Sequence, residues 1–94
     1  MMKHALIAFA FMAFAAPAQA QCYADYKAKQ DNPLRLHYGV AQVPDNACSP
    51  GAAAAVLTPR LAAGGWVLLN VVSTFGPESL QSKKASAGGY FLRY

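Results

Sequence analysis

The side chains able to do chemistry are few, and the two cysteines come first. Cys22 and Cys48 are the full complement of thiols in the 94-residue chain. A redox or metal role wants closely spaced thiols of the Cys-x-x-Cys kind with a depressed pKa. These two lie far apart, and in an oxidising compartment an even count has a single intramolecular pairing. The spacing therefore predicts a structural Cys22–Cys48 disulfide. A structural zinc site needs four Cys or His ligands. With the thiols bridged, only His37 remains after position 20, so no metal site is expected. A Ser-His-Asp arrangement can be assembled formally from His37, one of several serines, and Asp25 or Asp31. None of those serines sits in a Gly-x-Ser-x-Gly turn. Paired carboxylates could come only from Asp25, Asp31, Asp45 and Glu78. Three of these lie in or beside turns, where a short acidic side chain bonds its own backbone. Gly64-Gly65 follows a predicted helix and precedes a strand, the wrong order for phosphate at a helix N-terminus. The reading is of no catalytic residue, no cofactor and a non-enzymatic domain.

The compartment follows from the first twenty residues. Met1–His4 carries one lysine, residues 5–16 are continuously apolar, and Pro17-Ala18-Gln19-Ala20 follows. This is the layout of a secretory signal peptide with cleavage expected after Ala20. Its apolar run is shorter than the roughly 20 residues a permanent spanning helix needs. Residues 21–94 are then one small periplasmic or secreted domain with no membrane span. The hydrophobic share of 55% is inflated by the leader. The formal charge of +4 drops by one when Lys3 leaves. That mild, dispersed positive charge lacks the clustering of a nucleic-acid footprint. A domain of this size gains from a staple, which the disulfide supplies.

The elements that would position these residues are α+β. Cys22, Ala24, Tyr26 and Ala28 share one side of an extended segment, with Tyr23, Asp25, Lys27 and Lys29 on the other. A short helix fits the same residues. Asp31-Asn32-Pro33 is a turn. Beyond it, Leu34, Leu36, Tyr38 and Val40 are expected inward, and Arg35 and His37 outward. Ser49 and Pro50 read as N-cap and first helical residue, with Ala53, Val56, Leu57 and Leu61 on one stripe. Pro59 is expected to kink or split that helix, and Gly64-Gly65 to stop it in a left-handed turn.

Trp66–Phe75 is the strongest strand. Val67, Leu69, Val71 and Phe75 fall on one face and Trp66, Leu68 and Val72 on the other, which reads as a central strand covered twice. Residues 78–86 are loop or short helix, and Tyr90–Tyr94 a last strand. The sum is β-β-α-β-β, a small antiparallel sheet with one helix on a face. Trp66, Leu68 and Val72 then meet the N-terminal hairpin or form an apolar contact patch for another chain. Arg35, His37, Tyr38, Tyr90, Arg93 and Tyr94 form the candidate binding face, an aromatic and basic set suited to recognition.

The run Leu61-Ala62-Ala63-Gly64-Gly65-Trp66, followed by an apolar strand and Gly89-Tyr90-Phe91-Leu92-Arg93, resembles a widespread family of small bacterial domains of unknown function. That resemblance covers about residues 49–94 and implies a fold without an activity. Cys22, Cys48 and the segment Asp31–Gly39 make the whole look like small exported proteins of Gram-negative bacteria. The strand, alanine-rich helix, Gly-aromatic, strand order is also similar to the sporulation-related repeat that binds peptidoglycan glycan strands. This chain lacks that family's second half and closing helix. Partnership with another protein or with a second copy is the leading expectation, and cell-wall glycan the alternative.

Overall fold

The computed structural model describes residues 21–94; the expected leader, residues 1–20, lies outside the described residues. Three strands form an antiparallel sheet: β1 (Cys22–Gln30), β2 (Arg35–Val43) and β3 (Val67–Phe75), in the order β2-β1-β3. Helix α1 (Pro50–Ala63) separates β2 from β3, and α2 (Leu80–Ala87) follows β3. No described helix is long and apolar enough to cross a membrane. The fold is α+β with a helix on the sheet, as expected, but the order is β-β-α-β-α.

The central strand is β1, which is buried from Cys22 to Tyr26 and again at Ala28. Its α1-facing side is built from small groups, Cys22, Ala24 and Ala28, with Tyr26 the one large exception. Those alanines let α1 approach and set Ala53, Leu57 and Leu61, spaced four apart, against the sheet with no exposure. Tyr26 finds room across the pair at Gly39, its register partner on β2. A Cβ at Gly39 would stand 2.5 Å from the Tyr26 hydroxyl and 2.7 Å from its ring carbon. Glycine is required there by space.

Helix α1 begins and ends as its residues dictate. The Ser49 hydroxyl accepts from the Ala52 N–H at 3.4 Å, and Pro50 takes the first helical position. At the other end Gly65 adopts φ 87°. Its N–H donates to the Ala62 carbonyl and that of Trp66 to the Leu61 carbonyl, both at 2.9 Å. This paired closure is a Schellman motif, and it folds Trp66 back onto Leu61 within one apolar cluster. Pro59 does not split the helix. It lies on the exposed side, between Leu57 and Leu61, whose burial keeps the two halves aligned. The Cys22–Cys48 disulfide forms, with Cα atoms 5.8 Å apart and a sequence separation of 26. It ties the start of β1 to the approach of α1, and a closure of this length contributes about 3 kcal/mol.

Three expectations are corrected. β3 is an edge strand, and two register shifts against β1, between Asp25 and Tyr26 and between Lys27 and Ala28, break its alternation. Each bulge advances the chain by one residue and turns the following side chains over. Leu68 and Val71 thus pack on the α1 side, while Val67, Leu69 and Val72 are exposed. β2 is covered on both faces: Val40 and Tyr38 are inward and Arg35 outward as expected, but His37 is buried as well, and Leu34 and Leu36 at the hairpin tip are about two-thirds exposed. The far face is covered by α2 only beyond Tyr38, so the apolar residues at the hairpin tip have nothing to pack on. Finally, Tyr90–Tyr94 is no strand. Residues 80–87 are used as helix, Gly88 turns the chain at φ 54°, and a 3-10 turn spans Gly88–Tyr90. Phe91 then makes one parallel bridge to Val40.

Substitution Gly39→Ala is expected to displace the Tyr26 ring and lower stability by about 2 kcal/mol. Urea denaturation of the purified domain measures it; an unchanged midpoint would contradict this packing.

Candidate functional site

Two polar clusters lie back to back across β1. On the α2 side, Asp25 is 2% exposed. Burying a lone carboxylate is prohibitive, and three donors converge on this one. Tyr38 of β2 donates to Oδ2 at 2.7 Å, Ser73 of β3 to Oδ1 at 2.6 Å, and Lys83 of α2 to Oδ2 at 3.1 Å. Burial alone would raise the Asp25 pKa. The hydrogen bonds from Ser73, Tyr38 and Lys83, with the lysine charge, outweigh it and hold the carboxyl below its ordinary range. Burial, then the bond to Asp25 and its charge, push the Tyr38 phenol up in turn. The apolar surroundings are Tyr23, Val40 and Ala87, with Phe75 and Phe91 at the border. Lys83 also lies 5.1 Å above the Phe75 ring and Lys84 5.7 Å above that of Phe91, so both lysines of α2 clip it to the layer beneath.

On the α1 side His37 is sandwiched among aromatics. It stacks on Tyr90 at 3.8 Å and 10°, and meets Trp66 edge-on at 4.2 Å. Its Nε2 is 3.0 Å from the Tyr26 hydroxyl, while Nδ1 is buried without a partner. Burial lowers the His37 pKa, so the ring is neutral at pH 7. The Schellman turn places Trp66 in this cluster, and the Gly88–Tyr90 turn delivers Tyr90.

The six residues of the expected binding face are therefore divided. His37 is buried and stacked on the half-buried Tyr90, and Tyr38 is on the opposite face bonded to Asp25. Arg35, Arg93 and Tyr94 are exposed. Arg93 Nε donates to the Gly89 carbonyl at 3.2 Å, and Tyr94 is edge-on to Tyr26 at 6.4 Å. The expected apolar patch divides as well: Trp66 is buried, Leu68 half-buried and Val72 exposed on a bulge. Asp25, Ser73 and Lys83 were not singled out together from the sequence. The available signal was that Asp25 alone among the acidic residues stands clear of any turn.

What remains open to other molecules is a continuous apolar surface at the far end of the sheet. Leu34, Leu36, Val67 and Leu69 are at least half exposed. Leu36 and Leu69 border a depression of about 350 Å³ with Lys27, His37 and Tyr38. The outer edge of β3 carries no partner strand among the described residues. No family model, curated protein or solved structure matches this chain.

His37 is the sole histidine of residues 21–94. Its depressed folded pKa means the unfolded chain takes the proton first, so stability is full above pH of about 6.5 and falls as pH drops below it. Urea midpoints between pH 7.5 and 5 should fall steadily. In His37→Phe that slope should vanish, at a cost of about 1–3 kcal/mol at pH 7.5 for the stranded Tyr26 hydroxyl. A slope that survives the substitution would contradict this assignment.

Proposed function

We propose that this protein is a non-enzymatic, exported domain of the periplasm that binds another protein through the open edge of β3. The edge carries the reading. It runs nine residues, Val67 to Phe75, without a charged side chain. Native sheets guard such edges with charge, proline, bulges or cover; β3 has its two bulges but no charge or proline within the strand, and Val67, Leu69 and Val72 stand half exposed along it. An extended segment of a partner could add to this edge, its main chain supplying affinity and its alternate side chains meeting the apolar surface. Lys27 of β1 borders that surface and makes no ion pair among the described residues. The segment that fits is apolar at alternate positions with an acidic residue beside Lys27.

Export is supported by the leader-like residues 1–20 and by the Cys22–Cys48 bridge, which is consistent with an oxidising environment. The absence of enzymatic chemistry is supported by the way Ser73 and Lys83 are bonded to the buried Asp25 on one face and His37 to Tyr26 on the other. The glycan alternative has less support, since only Arg35, Arg93 and Tyr94 of its residues are exposed.

A photo-crosslinking residue at position 69 or 72 in cells should yield one discrete adduct, absent when the probe is at the exposed Gln81 of α2. The segment identified in that adduct, added as a peptide, should slow amide exchange across 67–75 at least tenfold. Equal adducts at all three positions, or protection confined to other elements, would contradict the edge as the docking site.

A further inference from the structure

A second surface lies on the opposite side of the sheet, between the outer edge of β2, the last turn of α1 and residues 92–94. It is an open groove of about 490 Å³ walled by Val43, Pro44, Arg60, Leu92, Arg93 and Tyr94. Each arginine is held in place through one nitrogen. Arg60 Nη1 donates to the Gln42 carbonyl at 2.8 Å and to the Tyr94 hydroxyl at 3.3 Å, and Arg93 Nε to the Gly89 carbonyl at 3.2 Å. Neither is in an ion pair: the pairs among the described residues are Lys29–Asp31 and Lys83–Asp25. No carboxylate side chain lines the groove. Two guanidinium groups thus line one groove with donors to spare and no acidic side chain beside them.

The groove wall is also where the backbone is strained. Leu92 adopts φ 61°, a left-handed conformation that a non-glycine residue rarely takes, and its N–H is tied to the Val40 carbonyl at 2.7 Å. Strain of this kind concentrates where a protein holds residues ready for a ligand. It sets Leu92 and Tyr94, both roughly two-fifths exposed, as apolar walls beside the two cations.

We infer that this groove binds a carboxylate carried on an apolar body, the oxyanion between Arg60 and Arg93 and the body against Leu92 and Tyr94. Guanidinium groups suit a carboxylate because their fixed fork matches its two oxygens. The apolar walls select an organic acid over a bare inorganic anion. This site is independent of the β3 edge.

The test is an NMR titration of the disulfide-bonded domain with N-acetyl-leucine, its neutral amide and inorganic phosphate. N-acetyl-leucine at millimolar concentration is expected to shift the Arg60 and Arg93 Nε signals and the Gln42 and Leu92 amides. The amide and phosphate should bind at least tenfold more weakly. Arg60→Gln and Arg93→Gln should each weaken binding tenfold or more, with the remaining amide spectrum unchanged. Arg60→Lys, which keeps the charge and loses the fork, should fall between, and Leu69→Lys on the β3 side should have no effect. Binding of the neutral amide or of phosphate as tightly as the acid would overturn the assignment, as would shifts that survive both glutamine substitutions. If Arg60→Gln alters the whole spectrum, Arg93→Gln and Arg60→Lys decide the question on the same criteria.

Discussion

A strand covered on both faces has no water to satisfy its polar side chains, and β1 carries two of them in succession. Asp25 and Tyr26 point to opposite sides of the sheet, so each needs partners brought by a different layer. For Asp25 those partners are one hydroxyl from β2, one hydroxyl from β3 and one ammonium from α2. A single carboxylate thereby sets the position of every element on its side of the sheet. Removing any one donor leaves charge inside with less to hold it, and such groups cost more to strand than they give when paired.

The other face is arranged around Tyr26. Its ring needs the space at Gly39, and its hydroxyl needs the imidazole of His37. That imidazole is in turn walled by Trp66 and Tyr90. The chain reaches Trp66 through the left-handed turn at Gly65, and the position of α1 depends on Ala24, Ala28 and the Cys22–Cys48 bridge. Both buried polar centres thus find their partners within the molecule, with the His37 Nδ1 left unpaired. What the molecule offers outward is its margins: the uncharged edge of β3 at one side, and the arginine-lined groove beyond β2 at the other.

Much of this was legible along the chain because it is local. Ser49-Pro50 starts α1, Gly64-Gly65 ends it, and the alternation of Cys22, Ala24, Tyr26 and Ala28 marks the α1 side of β1. The pairing of the cysteines follows from their number and from the leader-like residues 1–20, which point to an oxidising compartment. The misreadings are all non-local. Alternation on β2 gave the correct period but not that both sides are covered near Val40 and only the His37 side near the hairpin tip, because that depends on where α2 lies. The bulges of β3 arise from its register with β1, and no pattern within residues 67–75 announces them. The candidate binding face mixed residues of both sides for the same reason: His37 and Tyr38 are neighbours in sequence and separated by the sheet. Asp25 was visible only as a carboxylate away from turns; its three donors come from 13, 48 and 58 residues farther along.

The most direct check is the pKa of the Asp25 side chain in the folded protein, read from its carboxyl carbon during an NMR acid titration. Three converging donors require a value below the 3.8 of an ordinary aspartate, with the domain losing stability as pH falls through it. An Asp25 that titrates at or above 3.8 while the protein stays folded would mean that the carboxylate is not held by Tyr38, Ser73 and Lys83, and the arrangement of the sheet and α2 around it would have to be abandoned.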